Sequence, residues 1–150
     1  MDSNIILGIV ITIVVIIPVV ILATSGQRKH KKAIRKFTNF ATSNGLVISE
    51  FDSCDLGIIG IDSNTKKLAY MQKGKDGIII DLHDAKSCNS RTSSETINGE
   101  LIDKLIIDIE LKEGNGTKFL PLFTSENKLT LDNEQRITEK WRKIIASNLA

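Results

Sequence analysis

Motifs with catalytic spacing are missing from this 150-residue chain. It has no CxxC, HxxxH or HExxH cluster to hold a metal, no glycine-rich phosphate loop and no nucleophile elbow. Those absences remove the enzyme classes that a sequence announces most openly, and they favour a binding or scaffold module over an enzyme. No internal repeat and no long linker divides the chain. The only two cysteines, Cys54 and Cys88, stand 34 positions apart. On the cytoplasmic side of a membrane they are expected to be reduced thiols, and a disulfide between them would mark the opposite topology.

The most informative absence is of charge. Ile5 to Ala23 reads IILGIVITIVVIIPVVILA, without an acid or a base. Nineteen residues of helix span roughly 28 Å, close to the hydrocarbon thickness of a bilayer. No periodicity marks one buried face, so residues 5–23 are expected to form a transmembrane helix. Residues 1–4, MDSN, carry no base, and LATSGQ is a poor cleavage site, so the segment reads as an uncleaved anchor and not a secretory signal. Pro18 predicts a mild kink of the kind membrane helices tolerate. The lone Gly8 offers no GxxxG dimer motif.

Positive charge is gathered just after that run. Arg28, Lys29, Lys31, Lys32, Arg35 and Lys36 follow with no acid among them. By the positive-inside rule, residues 1–4 form an extracytoplasmic tip and everything after Ala23 lies in the cytoplasm, on the cell (inner) membrane. Setting aside the six bases and Asp2 leaves 14 bases and 17 acids, so the rest of the chain is about three units negative. A nucleic-acid binder would carry a basic face on its folded domain. The expected partners are therefore the lipid bilayer and a protein at the membrane, not nucleic acid. Each base near an anionic leaflet contributes about 1 kcal/mol before screening. The six bases are the candidate membrane-surface contact, and no catalytic residue, metal, cofactor or small-molecule ligand is assigned.

Residues 27–44 carry a helical pattern. Ala33, Ile34, Phe37, Phe40 and Ala41 recur at three- and four-residue spacings, and Asn44-Gly45 is a stop signal. This basic amphipathic juxtamembrane helix is expected to lay its basic end on the bilayer and Phe37 and Phe40 on the domain beyond. From Leu46 the period changes to two. LVISEF is the first expected strand. LGIIGID and KLAYMQK follow, joined by a polar turn at Asp62–Lys66. Lys73–Gly77 makes the next turn, and GIIIDLHD the next strand, with Ile78, Ile80 and Leu82 on one face. KSCNSRTSSETING offers little structure beyond one short strand in a loop. ELIDKLIIDIELK alternates cleanly, with Leu105, Ile107, Ile109 and Leu111 inward, and Glu113–Gly116 is a strong turn. TKFLPLFTS pairs back, Pro121 requiring an edge or a bulge. After Asp132 the helical period returns. Ile137, Trp141, Ile144 and Ile145 form a stripe, Asp132 and Gln135 resemble a capping box, and the single tryptophan is expected to plug the helix against the sheet.

The fold expected for residues 46–150 is thus α+β, mainly β. Six or seven antiparallel strands form a sheet or barrel capped by a C-terminal helix. The strand pair LGIIGIDSNTKKLAYM, the following GIIIDLHDAKSC and the closing RITEKWRKIIASNL resemble the bacterial pleckstrin-homology-like (PH-like) domains. Many of those hang from membrane helices. The resemblance runs from Leu46 to Leu149 and is one of pattern and order. Many members of that superfold bind proteins or have no known ligand, and the fold does not decide between these; for phosphoinositide binders the resemblance implies bases in the loop between the first two strands. Here that loop is Asp52-Ser53-Cys54-Asp55. It holds acids and no base, which argues against inositol phosphates.

One cluster keeps an enzyme reading open. Asp81 and His83 in DLHD would share a strand face, and Cys54 or Cys88 could join them as ligand or nucleophile. A small membrane-tethered hydrolase with a site around Asp81/His83 is the alternative to a binding module. A pocket holding Asp81, His83 and a cysteine together would favour it.

Overall fold

The computed structural model describes residues 28–126 and 128–149. The expected tip at residues 1–4 and membrane helix at 5–23 lie outside them. Among the described residues no helix is long and apolar enough to cross a membrane. The chain divides into two compact units between Lys36 and Phe37. Of the first unit residues 28–36 are described; all are helical, and all six bases are exposed.

In the second unit the helix continues to residue 43, so helix α1 comprises residues 28–43. Gly45, at φ 76°, reverses the chain. Its N–H bonds the Thr42 carbonyl at 3.0 Å and the Leu46 N–H bonds that of Ala41 at 2.9 Å. This is a Schellman motif, and Ala41 and Leu46, the residues it joins, are both buried. Leu46 is therefore spent on ending the helix, and LVISEF is not the first strand. Residues 46–48 are irregular, and β1 begins at Glu50.

Among the described residues seven strands form two antiparallel sheets. The first has the order β1 (Glu50–Ser53), β2 (Gly57–Asp62), β3 (Lys67–Gln72), β4 (Gly77–Asp81). The second has the order β5 (Ala85–Ile97), β6 (Glu100–Leu111), β7 (Thr117–Thr124). Helix α2, Asp132–Ser147, follows. The inward residues of both sheets, with Trp141 and Ile145 of α2, make one core. Trp141 is fully buried, as its place in the stripe requires. Hydrogen bonds tie β7 to the first sheet and its β1–β2 turn. The Tyr70 hydroxyl donates to the Pro121 carbonyl at 2.5 Å, and the Leu56 N–H donates to the Leu122 carbonyl at 3.0 Å. Pro121 fits because β7 is an edge strand and its pairing with β6 shifts register beside it, between Leu105 and Ile106.

The other face of the first sheet is also covered. Ile58, Ala69 and Met71 are buried without belonging to the central cluster. Two glycines on this face make room for α1. A Cβ on Gly60 would stand 2.9 Å from the Phe37 ring, and one on Gly77 would stand 2.5 Å from the Phe40 ring. Phe37 and Phe40 thus pack on the domain, as expected.

Three further expectations need correction. KSCNSRTSSETING is no loop with a short strand. It contains most of β5, at thirteen residues the longest strand. Its Ser and Thr residues carry no hydrophobic signal, yet Asn98 (φ 52°) and Gly99 (φ 82°) form a tight two-residue turn that locks it to β6 in unbroken register from Ser87 to Ile97. DLHD is not strand throughout: β4 stops at Asp81, and Leu82–Asp84 is a 3-10 turn. Ile80 and Leu82 are buried, but Ile78 is exposed. Finally, no capping box opens α2. Leu131 is the cap residue, no side chain caps it, and Asp132 already lies inside the helix.

Candidate functional site

Asp81 and His83 do come together. The His83 Nδ1 lies 2.8 Å from Asp81 Oδ1, which also accepts the His83 backbone N–H at 3.0 Å. Asp81 is the cap of the 3-10 turn. The His83 N–H first, and its ring second, hold the Asp81 carboxyl below the usual carboxylate range. Neither cysteine joins this pair as a reactive thiolate. Cys54 and Cys88 are free and buried. Burial above all pushes the Cys54 thiol up to about 12, with Asp52 and Asp55 adding to it. Burial likewise pushes Cys88 up to about 11. Such thiols stay protonated at neutral pH and are poor nucleophiles. Among the described residues no group of three or more His, Cys, Asp or Glu side chains is placed to hold a metal ion.

The acidic stretch from Asp52 to Asp55 is already engaged by the end of the chain. The Trp141 indole N–H donates to Asp52 Oδ2 at 2.7 Å, and Lys140 reaches the same oxygen at 2.9 Å. Lys140 also pairs with Glu50 at 2.9 Å. Glu50 and then Asp52 hold its ammonium above the ordinary value. Lys128 bridges Asp55 and Glu134. Asp52 in β1 and Asp55 in the turn after it, with Glu50, thus form a row of acids that anchors α2 and the segment leading to it.

A surface of different character lies along β5. Among the described residues this strand pairs with β6 alone. Between it and α2 runs an open groove of about 310 Å³ lined by Ser90, Arg91, Thr92, Gln135, Thr138 and Glu139, with Leu105 at its floor. Ser90 donates to Glu139 across it at 3.5 Å. The Arg142 guanidinium beside Glu139 holds that carboxyl below its usual range. Sequence reasoning assigned none of these residues. The one signal that pointed to a long strand here was Asn98-Gly99 in TING, since two runs flanking such a pair read as a hairpin.

The six expected membrane-contact bases, Arg28 to Lys36, are exposed on one helix. Against known protein families, curated proteins and solved structures, the chain finds no match.

Proposed function

We propose that this chain is a single-pass membrane-anchored binding or scaffold module whose cytoplasmic PH-like domain takes up a protein segment as an added strand on the free edge of β5. The observation that carries the proposal is that edge: thirteen residues paired on one side, with α2 forming a second wall beside it. An extended segment laid there gains main-chain hydrogen bonds from β5, and α2 makes the choice of side chains. Support for a PH-like fold comes from the four- and three-stranded antiparallel sheets and closing helix, in the order that family has. The engaged acids Asp52 and Asp55 speak against an inositol phosphate in the first loop. In this reading residues 5–23 cross the inner membrane with the N-terminus outside, and Arg28 to Lys36 rest on anionic headgroups.

A photo-reactive residue at Thr92, with Lys73 as control, tests this in intact membranes. Protein adducts are expected from position 92 and not from 73. No adduct at 92, or equal capture at both, would remove β5 as the docking edge.

A further inference from the structure

We infer that the segment added to the outer half of β5 is the same stretch of a second copy of this chain, paired antiparallel about Ser93. This rests on β5 being the docking edge and names its occupant. Residues 89–97, NSRTSSETI, are exposed on both faces of the strand, Ser93 alone being half-buried. They add almost nothing to the core, yet they are held in regular register with β6. The stretch contains no Pro or Gly to blunt an edge.

Its charges complement each other about Ser93. Arg91 and Glu95 lie two positions to either side, on the same face of the strand. Antiparallel pairing centred on Ser93 sets Arg91 opposite Glu95 of the second copy, and Glu95 opposite its Arg91. Opposed unlike charges stabilise a strand pair, and like charges destabilise it. Centring on Arg91 or on Glu95 would bring two like charges face to face, so Ser93 is the favoured axis. Within one chain Arg91 already pairs with Asp108 at 2.7 Å, and Lys104 with Glu95 at 3.2 Å. Joining two copies makes a row of alternating sign: Asp108 and Arg91 of one chain, then Glu95 and Lys104 of the other. The two-fold axis generates the row twice, as an isologous interface must. The proposed anchor assists by confining both copies to one surface and raising their effective concentration.

Cysteine cross-linking of the full-length chain in native membranes tests both the contact and its register. The native Cys54 and Cys88 are buried, so an added thiol reports alone. Ser93→Cys by itself should yield a covalent dimer under mild oxidation or with a short bismaleimide. Asn89→Cys and Ile97→Cys should cross-link when co-expressed, and Asn89→Cys alone should not, because its copies would lie roughly 27 Å apart along the strands. In the Ser93→Cys chain, Arg91→Gln or Glu95→Gln should weaken self-association roughly threefold to tenfold, since each removes two symmetry-related pairs. Lys86→Gln should leave it unchanged. If Ser93→Cys disturbs folding, the Asn89/Ile97 pair carries the test. Absence of dimer from that pair, or cross-linking of Asn89→Cys to itself, would overturn the inference. Exclusive capture of a different protein from position 92 would also overturn it while leaving β5 as a docking edge. No capture at 92 would remove both.

Discussion

Asp62 and Trp141 show how single residues hold this domain. Asp62 is almost fully buried at the end of β2. Its carboxylate accepts the N–H groups of Val47, Asn64 and Thr65 at 3.0, 3.0 and 3.3 Å. The Val47 bond above all, against the opposing effect of burial, holds its pKa below the ordinary value. A carboxyl whose folded pKa is depressed stabilises the fold above its unfolded pKa of about 4 and loses that contribution as pH falls through the folded value. Asp62→Asn is therefore expected to lower the denaturation midpoint at neutral pH. The gap from the native chain should narrow between about pH 5 and pH 3; a constant gap in urea titrations would refute the role. Trp141 fills the core and gives its one N–H to Asp52. Trp141→Ala should cost about 3–5 kcal/mol. Trp141→Phe keeps most of the packing, and water can reach Asp52, whose side chain is 32% exposed. Its expected cost is only about 1 kcal/mol. Chemical denaturation of both variants separates the packing from the bond.

At the scale of elements, the helices are seated by particular partners. Gly77 leaves the space that Phe40 occupies, so Gly77→Val should cost about 1–3 kcal/mol by overpacking; an unchanged midpoint would show that Phe40 moves aside freely. Removing residues 137–150 takes Trp141 and Ile145 out of the core, and the truncated chain is expected to aggregate. If it stayed monomeric and folded, α2 would be no cap. Much of this was legible in the sequence wherever apolar residues kept a period. Leu105, Ile107 and Ile109 announced β6, Phe37 and Phe40 announced the buried face of α1, and Trp141 announced the plug. What was not legible lacks that period. Nearly half of β5 is Ser and Thr, whose fitness for a strand depends on the neighbour across the ladder. Asp132 had the chemistry of a cap, but the turn before α2 placed Leu131 there. The groove beside β5 joins Ser90 to Glu139, 49 positions away, and no local pattern encodes such a meeting.

For the whole molecule, charge divides along the chain: six bases in residues 28–36, then a net negative remainder. A fragment beginning at Gln27 is expected to bind anionic vesicles weakly and to release in moderate salt. One beginning at Phe37, where the second compact unit starts, should not bind. Equal binding in a sedimentation assay would move the lipid contact onto the sheets. The indole bond from Trp141 to Asp52 closes over 89 positions of sequence, and this has a consequence for biosynthesis. A ribosome adds about 5–20 residues per second. The first sheet, complete at Asp81, therefore waits on the order of 3–12 s for Trp141 and the helix that completes its core. During that interval Cys54 and the inward isoleucines of β2 lack their cover. The nascent chain is then expected to present to solvent the groups that the finished domain shields.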